Sequence, residues 1–223
     1  NHSHCQQPAG WKRTVAHLAS LPETHRPFEH VHPPVNGRFA PCAGEGNVRH
    51  STMKSRRIII VGGCGTIGKK LKRAWPNALT VDRAESADIR CDLADIDPIN
   101  SALASVFERA EVVIHLATSA DPQATDVTHF TSVVHTAKVV AACASAGVPK
   151  LLLASSDWAA PKVRHLTVNV YGHSKRVLEA MAAMYSHGGD RTAVAIRIGW
   201  VPDEELAIAD APDWLLENHW SDE

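Results

Sequence analysis

The hydrophobic positions fall in short, nearly continuous runs, separated by longer stretches of mixed polarity. The runs are RIIIV (Arg57–Val61), ALTV (Ala78–Val81), DIRC (Asp88–Cys91), VVIHL (Val112–Leu116), LLLAS (Leu151–Ser155) and TAVAIRI (Thr192–Ile198). Apolar residues at successive positions suit strands buried on both faces, as in a parallel sheet covered by helices. The stretches between the runs read as helices. One follows the glycines after Val61 and continues to about Trp75, where Pro76-Asn77 stops it. Asp95–Arg109 is a second. Asp126–Ala146 is a long alanine- and valine-rich third, closed by Gly147. Tyr171–His187 is a fourth, ended by Gly188-Gly189. Strand alternating with helix predicts an α/β fold, a doubly wound parallel sheet with strand order 3-2-1-4-5-6.

The pattern holds over residues 53–199 and fails on either side. Residues 1–52 hold 7 of the 14 histidines and 6 of the 13 prolines. Only WKRTVAHLASL (Trp11–Leu21) has any helical period there, and EHVHPPVNGRFAPCAGEGN breaks regular structure. This segment reads as a disordered or loosely packed extension. Met53 opens the basic segment MKSRR directly before the first strand and looks like the natural start of the folded domain. Residues 200–223 carry eight carboxylates and no Lys or Arg, and read as a short acidic remnant of a substrate region. WLLENHW within it could form an amphipathic turn.

Composition narrows the partners. The chain has 223 residues, a net charge of -1 and a pI of about 7.0, with no excess of positive charge for nucleic acid or an anionic membrane. No apolar run approaches the roughly 18 residues of a spanning helix. Five cysteines without a CxxC pair argue for a reducing compartment, and so for a cytoplasmic protein. His2, His4 and Cys5 lack further ligands at fixed spacing, so no metal site is expected. A small molecule is the expected partner, and self-association into a homo-oligomer is left open.

The candidate chemistry starts at VGGCGTIG. Gly62, Gly65 and Gly68 stand at G-x-x-G-x-x-G spacing between a strand and a helix, with Thr66 and Ile67 opening the helix. Glycines permit a tight turn and let a pyrophosphate approach the backbone, while the helix N-terminus presents N–H groups and a positive dipole end. Asp82 lies 20 residues after Gly62, at the end of the second strand, where it can accept from the adenosine ribose. Its charge repels a 2′-phosphate and favours NAD over NADP, although Arg83 beside it could serve that phosphate. Asp92-Leu93 has two readings, as a partner for adenine or as a carboxylate at a helix N-terminus. Leu116 and Ala117, beyond the fourth strand, complete the expected cofactor wall. This is the Rossmann arrangement.

In YGHSK, Tyr171 and Lys175 are i and i+4 on a predicted helix and share a face. An ammonium beside a phenol lowers its pKa from about 10 and makes a general acid/base usable near neutral pH. Ser156 ends the fifth strand and could donate to a substrate carbonyl. In open α/β sheets, ligands bind beyond the carboxyl ends of the strands. His115 reads as a buried histidine bonded to a neighbour.

VGGCGTIG, VDR, CDLAD, VVIHLA, LLLASSD and YGHSK, in this order, resemble the extended short-chain dehydrogenase/reductases, the NAD-dependent epimerase/dehydratase family. The resemblance covers about Ser55–Gly199, and within the family it is to uronate dehydrogenases. It implies that Tyr171 is the catalytic acid/base, that Lys175 binds the nicotinamide ribose and tunes Tyr171, and that Ser156 orients the substrate. It also implies an NAD-dependent enzyme oxidising a sugar or sugar-acid hydroxyl or hemiacetal. Two alternatives stand beside it: a nucleotide-sugar epimerase or dehydratase, and a non-catalytic NAD-binding protein. The sequence departs from the family at several points. Ser132 aligns with a relay Asn, Asp157-Trp158 replaces Asn-His, the gap from Ser156 to Tyr171 is short, no Arg follows Arg197, and the C-terminal substrate region is absent or very short.

Overall fold

A computed structural model describes residues 58–96, 102–160, 167–187, 189–202, 213–217 and 219–220. The N-terminal extension, its boundary at Met53 and most of the acidic tail lie outside the described residues. Strands β1 (Ile58–Val61), β2 (Leu79–Asp82), β3 (Ile89–Arg90), β4 (Val112–His115), β5 (Lys150–Ser156) and β6 (Thr192–Ile198) form one sheet, in the order β3-β2-β1-β4-β5-β6. Every neighbouring pair is parallel. The order is the one the sequence predicts.

Helix α1 (Thr66–Ala74) follows β1, α2 (Ala102–Phe107) precedes β4, α3 (Asp126–Ser145) follows β4, and α4 (Val170–Ser186) follows β5. Right-handed crossovers put α1 on one face of the sheet and α2, α3 and α4 on the other. Burial of Ile59, Val61, Val81, Val113, Leu151 and Leu153 against Val139, Val140, Cys143 and Leu178 forms the core. The strand runs are continuous because both faces are covered: Ile60, Ile114 and Leu152, which alternate with core residues, are also buried.

The expected second helix is shorter than its pattern. Asp95 ends a 3₁₀ turn at Leu93–Asp95, the helix is observed at Ala102–Phe107, and residues 97–101 lie outside the described residues. At the other end, Trp200 pairs with His219 as an isolated bridge, and the Trp220 amide donates to Trp200 O at 2.8 Å. A short helix, α5 (Asp213–Leu216), leads into this contact. The end of the acidic tail therefore pairs with Trp200, two residues beyond β6. Among the described residues, no helix is long and apolar enough to cross a membrane, and no group of metal-binding side chains occurs.

Candidate functional site

The turn from β1 to α1 is shaped by sterics. Gly62 has φ +86, and a Cβ there would lie 2.6 Å from Ala117 N. A Cβ on Gly68 would run into Gly62 O. Both glycines are thus required for the turn to pack on itself and on the backbone after β4. Gly65 differs. A Cβ there would meet nothing closer than 3.5 Å, and the residue lines an open cleft. The protein's own packing leaves this glycine without a reason, whereas close approach of a ligand to the backbone supplies one. No side chain caps the first turn of α1 (Thr66, Ile67), and no acidic residue lies in it, so its positive end is left for an anion.

Asp82 ends β2 beside this turn. Its Oδ2 accepts from Cys64 N at 3.0 Å and its Oδ1 from Ala84 N at 3.2 Å. The carboxylate therefore pins the glycine turn, a structural role that its spacing did not reveal. The cleft, of about 1110 Å³, is lined by Gly62, Gly65, Asp82 and Asp92, and by Leu93, Leu116 and Ala117. Asp92 Oδ1 accepts from Ala94 N at 2.9 Å and caps the 3₁₀ turn, so the capping role is realised in a residue that also faces the cleft. Glycine backbone, uncapped helix start and ribose-height carboxylate in one cleft fit a dinucleotide.

The second half of the site lies at the carboxyl end of β5. Asn169 caps α4: its Oδ1 accepts from Gly172 N at 2.9 Å and its Nδ2 donates to Pro122 O at 3.1 Å. A Cβ on Gly172 would run into Trp158 O, so the first turn of α4 lies directly on the 3₁₀ turn Asp157–Ala159. These contacts bring Tyr171, Lys175 and Ser156 together, all buried. Lys175 Nζ stands 5.2 Å from the centroid of the Tyr171 ring. The Ser156 hydroxyl lies near the phenol. Ser156 Oγ donates to Asp157 Oδ1 at 2.9 Å and accepts from Trp158 N at 3.3 Å. Lys175 Nζ donates to Ala154 O at 3.2 Å and to Thr118 Oγ1 at 2.7 Å. Thr118 lines the cleft, so this last bond joins the two halves.

Electrostatics depart from the sequence expectation. Burial pushes the Tyr171 phenol above its ordinary value; the Ser156 hydroxyl pulls it down, and the Asp157 carboxylate raises it again. The Lys175 ammonium lies over the ring, its protons directed at Thr118 and Ala154, and burial pushes Lys175 itself down to about 8. Desolvation outweighs the helix pairing.

His115 behaves as expected. Its Nε2 lies 3.0 Å from Thr136 Oγ1, and burial, with Lys175 and His135 nearby, pushes it down to about 3. Thr136 gives its own proton to Ser132 O, so it accepts from His115 Nε2, which carries the hydrogen. Ser132 Oγ, in the expected relay position, accepts from Ser119 N and donates to Thr128 O, each at 3.0 Å. Sequence reasoning missed Thr118, Asn169 and His129. Thr118 directly follows the predicted Leu116-Ala117. His129 belongs to no motif, and its ring packs 5.4 Å from that of Tyr171. Its buried Nε2 has no hydrogen-bond partner among the described residues.

Similar proteins share the fold. A UDP-N-acetylglucosamine 4-epimerase from Bacillus cereus superposes with a TM-score of 0.55 at 20% identity, over 66% of this chain and 55% of that one. MoeE5 in complex with UDP-glucose and NAD gives 0.55 at 24%, over 66% and 55%. A mutated uronate dehydrogenase gives 0.55 at 20%, over 66% and 59%. The chain thus spans little more than half the length of these structures. Comparison with curated proteins gives no match. The model of the NAD dependent epimerase/dehydratase family matches residues 58–201, well over half of the sequence. The chain belongs to the NAD dependent epimerase/dehydratase family, and NAD is its cofactor.

Proposed function

We propose that this chain carries the cofactor-binding and acid/base parts of an oxidoreductase acting on a hydroxyl or hemiacetal of a sugar or sugar acid. One observation carries the reading. Ser156, Tyr171 and Lys175 lie buried together at the carboxyl end of β5, and Lys175 is bonded to the wall of the dinucleotide cleft through Thr118.

NAD, when bound, supplies the hydride acceptor. The Gly62–Gly68 turn with Thr66 and Ile67 would hold its pyrophosphate, and Asp82 its adenosine ribose. Asp92 and Leu93 would border the adenine, and Leu116 and Ala117 would form the wall. Lys175 has three N–H groups, of which Thr118 and Ala154 engage two. The third would serve the nicotinamide ribose. Tyr171 would exchange a proton with the substrate oxygen, and Ser156 would orient that oxygen.

The test is turnover. NAD is mixed with a panel of uronates and neutral sugars, and NADH is followed by its absorbance. Product from one of them supports the reading, and none from any would leave a non-catalytic NAD-binding protein ahead. A second reading, a nucleotide-sugar epimerase or dehydratase, uses the same residues and is favoured by structural neighbours that are UDP-sugar 4-epimerases. NAD that co-purifies, with a UDP-sugar converted and no net NADH, would select it.

A further inference from the structure

Thr118 stands where the two halves of the site meet. It lies three residues beyond the end of β4, and its amide donates to Leu116 O at 2.7 Å. Ala117, just before it, supplies the backbone on which Gly62 packs. The Thr118 hydroxyl oxygen is 2.7 Å from the Lys175 ammonium. The side chain is half-buried and lines the cleft. One neighbour thus touches the glycine turn, and the hydroxyl touches Lys175.

The direction of the bond to Lys175 is fixed by chemistry. An ammonium has no lone pair and can only donate. Thr118 Oγ1 is therefore the acceptor, and its own hydrogen points elsewhere. Among the described residues nothing accepts that hydrogen. The hydroxyl of Ser132, also in the cleft wall, is by contrast committed: it donates to Thr128 O and accepts from Ser119 N. We propose that Thr118 is a cofactor-binding residue: it takes a hydrogen bond from Lys175 and gives its own hydrogen to an oxygen of the nicotinamide nucleotide half of NAD.

A hydroxyl that accepts from a cation is a stronger donor, because each bond in a chain polarises the next. Thr118 in this way carries part of the Lys175 charge to the cleft as a directed hydrogen bond. Packing alone does not call for the hydroxyl, since valine has nearly the same shape. The competing account is that the oxygen serves only to satisfy the buried ammonium. It predicts that Thr118 matters to a ligand through Lys175 and in no other way.

The proposal deepens the reading above and rests on its placing of the nicotinamide ribose beside Lys175, but its test measures binding and needs no substrate. NAD and ADP are titrated by calorimetry into the protein and its variants. ADP carries the adenosine and two phosphates and lacks the nicotinamide half. Thr118→Val should weaken NAD by about three- to tenfold, the size of one hydrogen bond, while ADP binds as before. Thr118→Ser keeps the hydroxyl and should bind NAD like the parent. In a Lys175→Met background, Thr118→Val should weaken NAD further, because the threonine has a contact of its own. Unchanged NAD affinity in Thr118→Val overturns the proposal. So do equal losses for NAD and ADP, which would place the effect in the half they share. No further loss in the Lys175→Met background also overturns it, leaving Thr118 as a prop for the ammonium alone. Thr118→Ala repeats the titrations should Thr118→Val fail to fold. Lys175→Met on its own separates this proposal from the reading beneath it. Unchanged NAD affinity there removes the placing of the ribose beside Lys175, whereas a loss there with none in Thr118→Val removes the Thr118 contact alone.

Discussion

The two halves of the site are built on different physics. At the β1–α1 turn the important atoms are backbone, and the residues are fixed by space: Gly62 and Gly68 have no room for a Cβ. Between β5 and α4 the important atoms are protons on buried side chains, and their state depends on what surrounds them. Tyr171 is raised by burial and by Asp157, while Lys175 is pushed down to about 8. The first half would keep its shape through most changes of charge. The second would keep its shape and lose its chemistry.

Tyr171→Phe separates the halves most sharply. If the proposed chemistry is right, it lowers kcat by about 10²–10⁴ while leaving NAD affinity nearly unchanged, since no phosphate contact is touched. An equal loss in NAD affinity, read by titration, would show that the halves are one unit.

Two glycine variants sharpen the other side. Gly68→Ala forces a methyl into the turn backbone and should destabilise the fold by about 1–3 kcal/mol in denaturant unfolding. Gly65→Ala meets nothing in the protein and should alter stability by less than about 0.5 kcal/mol, yet weaken NAD binding. Equal stability losses in the two would remove the argument that Gly65 is kept for a ligand.

Lys175 tests the charge side through stability. Its pKa falls from 10.5 to about 8 on folding. Between those values the unfolded chain holds the extra proton, so stability rises with pH across the window. Below it, the buried charge costs the fold its full penalty. Lys175→Met should therefore stabilise the protein at neutral pH by about 1–3 kcal/mol, less what the bonds to Thr118 and Ala154 contributed, and flatten the alkaline rise. A drop in melting temperature at neutral pH would mean that those bonds outweigh the buried charge.

The smallest effect is expected at Asp82. Asp82→Ala should narrow the preference for NAD over NADP by about tenfold, or 1.4 kcal/mol. It should also loosen the turn, because Cys64 N loses its acceptor. An unaltered preference, measured by parallel titrations, would leave Asp82 with the structural role alone.

What could be read in advance follows the same division. The bounds of β6 match the apolar run Thr192–Ile198, and the strand order follows from alternation and handedness, because these depend on local pattern. The glycine turn and Asp82 were legible because their spacing is set by a turn and a strand of ordinary length. The Asp95–Arg109 helix was overextended, since Asp92 closes a local 3₁₀ turn on Ala94, a competition between side chain and helix that periodicity does not register. Tyr171, Lys175 and Ser156 were found as neighbours, but the sign of the Tyr171 shift was missed. It depends on burial and on the nearby Asp157 carboxylate, and both act on the phenol only when β5 and α4 meet. His129 was illegible for the same reason: nothing along the chain marks the helix face that will lie against Tyr171.

The bond from Lys175 to Thr118 has a consequence for whatever binds beside it. The ammonium has three protons, and the fold directs two of them at Thr118 and Ala154. One donor then remains for whatever enters. Two visitors that both present an acceptor at that nitrogen cannot be served together, so the first to arrive decides what the second finds. A second acceptor could be served only by displacing Thr118 or Ala154 from the nitrogen.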